Sequence, residues 1–386
     1  MKKYLITFLI LLTIIVFGLN LNIVSAKNNN FDETINEILT GIDDSNYKDF
    51  NDVLNGFFND NLSFKERIIK FLTGELKLDF NNVKSLIFSN FSNFIDEISS
   101  LLAYLLFIGI LSTIINIILS KNNDNIENNT IFFIFYILAI TVGASLISKL
   151  VYSVNDSLKK LSTTTEIVFP LMFTVSSLCG NLGVSIYKPL TCFVAYFSSV
   201  ITTNYLLPII LFGGVTMIVG NLSQNIKISG LSKTVFSFFK WMLGIIFIIY
   251  TVVLSVQGIV NASYNGISIK ILKYATGSII PIVGGFLSGG IDVLLSSAIL
   301  IKNSIGLISV IYLIITIGSK GISFIVSSFI IKFGASICEP ILDKRFYNFL
   351  VGIGDVINYL ASLILISGFM YFITVIGFIF STISVI

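Results

Sequence analysis

The 386-residue chain contains no histidine, two arginines (Arg67 and Arg345), one tryptophan, five prolines and three cysteines, and only 12% of its residues are charged. The lack of histidine removes the commonest general base, the commonest metal ligand and the usual pH switch near neutrality. Most hydrolase and metalloenzyme templates are excluded with it, and no catalytic, cofactor-binding or metal-ligating set is predicted. Cys179, Cys192 and Cys338 each sit in apolar sequence without a C-x-x-C spacing, so they make neither a disulfide framework nor a zinc site and read as small buried apolar residues. Residues 27–98, the most charged segment, lack phosphate loops, carboxylate-rich metal loops and basic stripes, and no nucleic-acid partner is expected. What the chain has in abundance is apolar side chains, 55% of the residues, with a mean hydropathy of +0.93. An ordinary soluble domain is roughly 25% charged. The expected partner is therefore a lipid bilayer, and the expected fold is all-α and polytopic.

The few charges are unevenly placed. Residues 27–98 carry seven basic and thirteen acidic groups, whereas residues 99–386 carry fifteen and eight. Ahead of both, Met1-Lys2-Lys3, an apolar run from Leu5 to Leu19 and the small residues of Val24-Ser25-Ala26 form the pattern of a secretory signal peptide over residues 1–26. Whether that leader is cleaved or stays as an anchor helix, residues 27–98 are then an exported, acidic segment. Ile35, Ile38, Leu39 and Ile42, and again Phe50, Val53, Leu54 and Phe57, recur at helical spacing. Ser63 and Glu66 have capping-box spacing before Ile68, Ile69 and Leu72, and Ile87, Phe91, Phe94, Ile95 and Ile98 line a helix that runs on into the membrane. This is a small helical segment, better suited to an interaction surface than to an active site.

Residues 99–386 alternate apolar stretches with short polar breaks and predict seven to nine spans. The first two lie at about 99–119 and 131–148, with a polar link at 149–166 that holds Lys149, Asp156, Lys159, Lys160 and Glu166. A third span is expected at 167–187. The 189–220 stretch is too long for one ordinary span and carries Asn204 and Pro208 at its middle, so two broken half-helices are expected there. The loop from Asn221 to Lys240 contains Lys227, Lys233 and Lys240 without an acid, which assigns it to the cytoplasm. Further spans are expected at 241–260, 279–301, 303–319, 321–341 and 360–384.

No acid occurs in the 125 positions between Glu166 and Asp292. A charge at mid-membrane costs at least ~2.5–3.5 kcal/mol on insertion scales, so the isolated ones point to partners or water. Asp292 follows Pro281-Ile-Val-Gly284-Gly285-Phe-Leu-Ser-Gly289-Gly290, a stretch expected to break the helix and expose backbone. It either lines a pore or binding site or forms a glycine-rich helix contact. Lys302 closes that element. Lys332, Ser336 and Glu339 share one helix face, and Pro340 removes the amide expected to bond the Ser336 carbonyl. That stripe either lines a conduit or is part of a structural ion pair. Gly352-Ile353-Gly354-Asp355 has the G-x-G-D form of intramembrane aspartyl proteases, with Asp292 as an imaginable second carboxylate. The tyrosine expected before that second acid and the Pro-Ala-Leu element are absent.

Val256-Gln257-Gly258, Leu272-Lys273-Tyr274-Ala275-Thr276-Gly277, Ile280-Pro281-Ile-Val-Gly284-Gly285, Asp292 and Leu300-Ile301-Lys302-Asn303-Ser304-Ile305-Gly306 resemble, in order and spacing, the stage III sporulation protein AE family. Cys338-Glu339-Pro340-Ile341-Leu342-Asp343 is similar to its later Pro-x-x-Asp element, and Pro170 and Pro189 fit its first half. Two departures stand out: Ser288-Gly289-Gly290 where the family carries a second acid, which weighs against an acid pair at Asp292, and no proline near Ile317–Gly321. The resemblance implies a multi-pass component, without enzymatic activity, of the transenvelope channel between mother cell and forespore. It would sit in the mother-cell membrane around the engulfed forespore. Its implied partners are ring-forming proteins, other membrane proteins and a secretion-type ATPase. A stand-alone secondary transporter is the alternative reading, faintly supported by Pro208 with Gly213-Gly214 beside Pro281 with Gly284-Gly285.

Overall fold

The computed structural model describes residues 48–58, 60–72, 80–120, 125–178, 182–220, 229–279 and 284–380. The signal peptide expected at 1–26 and the helical pattern of 35–42 lie outside these residues, as does Cys179. Among the described residues every regular element is helical: α1 (Lys48–Phe58), α2 (Phe64–Leu72), α3 (Phe80–Ser120), α4 (Asn125–Leu178), α5 (Leu182–Ile201), α6 (Leu207–Gly220), α7 (Ser229–Ile279), α8 (Gly284–Leu313), α9 (Ser319–Cys338) and α10 (Lys344–Phe380). Two π-turns, Thr202–Leu206 and Ile314–Gly318, join α5 to α6 and α8 to α9 without interrupting the rod. Among the described residues six helical stretches are long and apolar enough to cross a membrane: Phe91–Ile118, Phe133–Ser177, Pro189–Gly220, Gly230–Val256, Ser297–Cys338 and Lys344–Ile379. The fold is all-α and polytopic.

The capping box forms. Ser63 N–H donates to Glu66 Oε2 at 2.9 Å and Glu66 N–H to Ser63 Oγ at 3.2 Å, satisfying two amides that start α2. The apolar faces of α1 and α2 meet through Phe50 and Phe64, whose ring centroids are 5.4 Å apart. Both helices dock on the membrane body, where Phe50 stacks on Tyr312 of α8 at 4.5 Å. Between them Arg67 is fully buried; its guanidinium bonds Asp60 at 2.6 Å and Asn55 at 2.6 Å and lies over the Phe58 ring. Burial of a guanidinium is tolerated because a carboxylate, an amide oxygen and a π-face replace its water.

Several expected breaks are absent. The 149–166 link is helix, part of the 54-residue α4, because Leu150, Val154, Leu158 and Leu161 fall at helical spacing and are all buried. The expected half-helices of 189–220 form one rod, its π-turn seen in the Leu207 amide bonding the Thr202 carbonyl. Residues 303–319 and 321–341 are likewise continuous through the second π-turn, where the Ser319 amide reaches the Ile314 carbonyl. The glycine-rich run before Asp292 is helical from Gly284 onward. Glycine permits irregular backbone without imposing it, and in an apolar medium a helix satisfies its own amides and carbonyls.

Toward one end of the bundle α4, α6 and α10 meet. Tyr136 of α4 packs on Phe346 and Phe349 of α10, and its hydroxyl donates to the Ile218 carbonyl at the end of α6. At the opposite end α10 meets α4 through Phe173 and Phe378, and α7 meets α10 through a Tyr250–Thr374 hydroxyl pair at 2.6 Å. Neither Ile98–Ser120 of α3 nor Ile131–Ser148 of α4 contains a charged residue. At 1.5 Å per residue these belts are about 34 and 27 Å tall, close to the ~30 Å hydrocarbon core of a bilayer. The whole of α4 is about 81 Å long and extends well beyond one crossing.

Candidate functional site

A polar layer caps the charge-free belt. Its contact nearest the belt is the exposed ion pair from Lys149 on α4 to Glu97 on α3, at 2.8 Å. Two turns further along α4, Asp156 holds two lysines, Lys160 four residues on at 3.0 Å and Lys320 at the start of α9 at 3.7 Å. Beside this triad a cavity of about 330 Å³ opens between α4, the second π-turn and α9. Lys160 and Lys320 line it together with Ser153, Ser157, Thr316, Ser319 and Ser323, while Phe94 and Phe324 stack at 5.4 Å along its wall. A second cavity, about 210 Å³, lies on another face of α4 against α5; Ser162, Thr165, Glu166 and Ser199 supply its polar groups.

Both π-turns sit against this layer. Thr202 and Thr203 of the first line a narrow cleft that continues the second cavity, and Ile315 and Thr316 of the second line the first. A π-turn displaces the regular bonding register, and nearby hydroxyls occupy carbonyls around it. Thr202 Oγ1 donates to the Ser198 carbonyl, Thr316 Oγ1 to Tyr312 at 2.8 Å, and Ser319 Oγ to Ile315. Such turns concentrate at functional sites in helical proteins. Sequence reasoning placed Asp156 and Lys160 in a connecting link and passed over Lys320. The i, i+4 spacing of Asp156 and Lys160 was the available local signal, but the arrival of Lys320 from 164 positions away is tertiary.

The predicted site residues are spread along the bundle. Pro281 lies outside the described residues; Gly284 and Gly285 open α8, and Asp292 is on the same helix with a side chain outside them. Asp292 and Lys302 are separated by ten residues, about 15 Å along the α8 axis, so the helix does not juxtapose them. Lys302 is fully buried and its Nζ reaches the Ile379 carbonyl at 3.3 Å. An ammonium group there stabilises the C-terminal turn of α10.

Lys332 pairs across the α9–α10 crossing with Asp355, Nζ to Oδ1 2.6 Å. Ser336 Oγ donates back to the Lys332 carbonyl at 2.9 Å, and Ser336, Glu339 and Pro340 are exposed. The Ser336 carbonyl, expected to be freed by Pro340, is instead met by the Glu339 amide at 3.4 Å as α9 ends. Gly354 explains the G-x-G-D pattern by packing. A Cβ there would stand 2.7 Å from Lys332 Cγ and 3.3 Å from the Ser328 carbonyl, while Ser328 Oγ donates to the Gly354 carbonyl at 2.6 Å. Asp355 thus carries a lysine ion pair, whereas a protease dyad requires a second carboxylate sharing its proton. Cys192 and Cys338, expected to be buried, are half-buried thiols at the edge of the core. Among the described residues no cluster of three or more acids and cysteines is placed to hold a metal ion.

Comparison with known proteins adds to this geometry. No solved structure matches the chain. The stage III sporulation protein AE of Bacillus subtilis strain 168 is 21% identical over 313 residues, covering 81% of this chain and 78% of its own length. The model of that family matches residues 62–382, from the loop before α2 to the end of α10. With the match spanning most of the sequence, this multi-pass, all-helical membrane protein belongs to the stage III sporulation protein AE family.

Proposed function

We propose that the protein is a membrane component of the transenvelope channel that joins mother cell and forespore, required for development after engulfment. The observation that carries this reading is the family match over residues 62–382. The architecture is compatible with it: α4 is much longer than one bilayer thickness, and α1 and α2 form a small docked unit available to other proteins. In this reading the chain sits in the mother-cell membrane around the forespore, with residues 27–98 outside the cytoplasm. Its partners are ring-forming and other membrane proteins and a secretion-type ATPase, and it acts by assembly rather than by covalent catalysis.

Deletion of the gene tests the role: cells should grow normally, complete engulfment and then arrest. Heat-resistant spores at normal frequency would overturn it. Crosslinking and co-purification from sporulating cells test membership, with recovery of the ring-forming proteins and the ATPase as the expected result. A stand-alone transporter has one structural observation in its favour, two polar-lined cavities each beside a π-turn. Solute uptake by the purified protein in vesicles, without any partner, would favour that reading.

A further inference from the structure

The cavity beside Lys160 and Lys320 has three properties that together define a ligand class. The first is charge. The ionised side chains lining it are both lysines, and Asp156, which pairs with both, is not part of its wall. The carboxylate holds both ammonium groups in place yet cancels only one charge, so the cavity retains an excess positive charge and suits a monoanion.

The second property is the direction of its hydroxyls. Ser157 Oγ donates to the Ser153 carbonyl at 2.9 Å, Thr316 Oγ1 to Tyr312 at 2.8 Å, Ser323 Oγ to Ser319 at 2.9 Å, and Ser319 Oγ to Ile315. Their hydrogens are committed to their own helices, and their lone pairs remain to accept. A ligand matched to this wall combines an anionic group for the lysines with hydroxyl donors for the oxygens.

The third property is depth. Lys320 stands 18 residues, about 27 Å, from the hairpin end of α9, and the α4 wall begins at Ser153, immediately past the charge-free belt. At that level a bilayer presents its phosphate headgroups. Phe324, one turn nearer the belt than Lys320, and Phe94 stacked on it form an apolar wall that suits the glyceride portion below a headgroup.

We propose that this cavity is a binding site for a lipid phosphate headgroup, with Lys160 and Lys320 on the phosphate and the Ser/Thr oxygens accepting from a glycerol head. The inference is independent of the channel role. Near a membrane surface each lysine adds about 1 kcal/mol of attraction to an anionic lipid.

The test uses the full chain in phosphatidylcholine nanodiscs containing a minor fraction of phosphatidylglycerol, followed by native mass spectrometry to count retained lipid. The expected result is a retained phosphatidylglycerol, reduced roughly fivefold by Lys160→Met or Lys320→Met and unchanged by Lys149→Met, which alters the same polar layer outside the cavity. No retention, retention that survives the double lysine variant, or an equal loss with Lys149→Met would overturn the site. Saturable, Lys320-dependent binding of inorganic phosphate in phosphatidylcholine alone would assign the cavity to a free anion and overturn the lipid assignment. Thr316→Val keeps both charges should the lysine variants fail to fold. It should lower retention of phosphatidylglycerol but not of phosphatidic acid, which has no glycerol head, and equal retention of both lipids in that variant and in the parent would overturn the hydroxyl contribution.

Discussion

Lys332 reaches Asp355 by passing directly over Gly354: the ammonium lies 2.6 Å from the carboxylate, and the lysine stem occupies the space a side chain at 354 would fill. Charge pairing and close helix approach are therefore one feature. Small residues that let helices meet are common in membrane bundles, where lipid supplies no hydrophobic drive for helix association. Here the close approach also brings two opposite charges together across the interface.

Gly354→Val should separate α9 from α10 and lengthen that ion pair, costing about 1–3 kcal/mol through overpacking. Gly244→Ala is the matched control, because a Cβ at Gly244 meets nothing within 4 Å. It should be neutral or slightly stabilising, since alanine favours helix. Thermal unfolding of the two purified variants in one detergent checks the contrast.

Lys332→Met should lower stability by about 1 kcal/mol, a value set by the partial exposure of both side chains, 34% and 46%. Combining Lys332→Met with Asp355→Leu should recover much of that loss by removing the unpaired carboxylate. A double-mutant cycle on unfolding midpoints measures the coupling, and strict additivity would mean the pair contributes nothing.

Asp60→Ala leaves Arg67 buried without its carboxylate and should cost about 3 kcal/mol, the usual scale for breaking a buried pair. Limited proteolysis should then cut between α1 and α2 while α9 and α10 stay protected. Phe50→Ala acts on the neighbouring contact: losing the stack on Tyr312 should cost about 3 kcal/mol and loosen both helices from α8. A cysteine crosslink from α1 to α8 should form in the parent and fail in this variant.

Substituted cysteines test orientation. In a chain stripped of Cys179, Cys192 and Cys338, a cysteine at Lys227 should react with a membrane-impermeant maleimide only after the cells are opened. One at Asn61 should react on intact protoplasts of vegetative cells made to express the chain, where that segment faces the medium. The reverse pattern would invert the topology.

The sequence made local features legible and tertiary ones hardly at all. Ser63 and Glu66 announced the start of α2 because a capping box is complete within four residues. The spacing of Phe50, Val53 and Leu54 revealed α1 for the same reason. Polar runs inside long rods misled: Lys149 to Glu166 looked like a connection because its charges drew more notice than the buried stripe of Leu150, Val154, Leu158 and Leu161 beneath them. Asp355 could be singled out as a lone charge, but not its partner, since Lys332 is 23 residues away on another helix. The Pro281–Lys302 element stood out by composition, yet the triad of Asp156, Lys160 and Lys320 is assembled from two helices far apart in the chain.

The length of α4 has a mechanical meaning. From Asn125 to the turn before Pro170 it is a rod of about 65 Å, and proline, which removes a helix bond, enters only near its far end. Held in lipid along its first part, such a rod is a lever. Pivoting where the belt ends at Ser148, a tilt of about 10° carries the turn before Pro170, about 32 Å further on, through about 5–6 Å, enough to shift a docked neighbour by one helical turn.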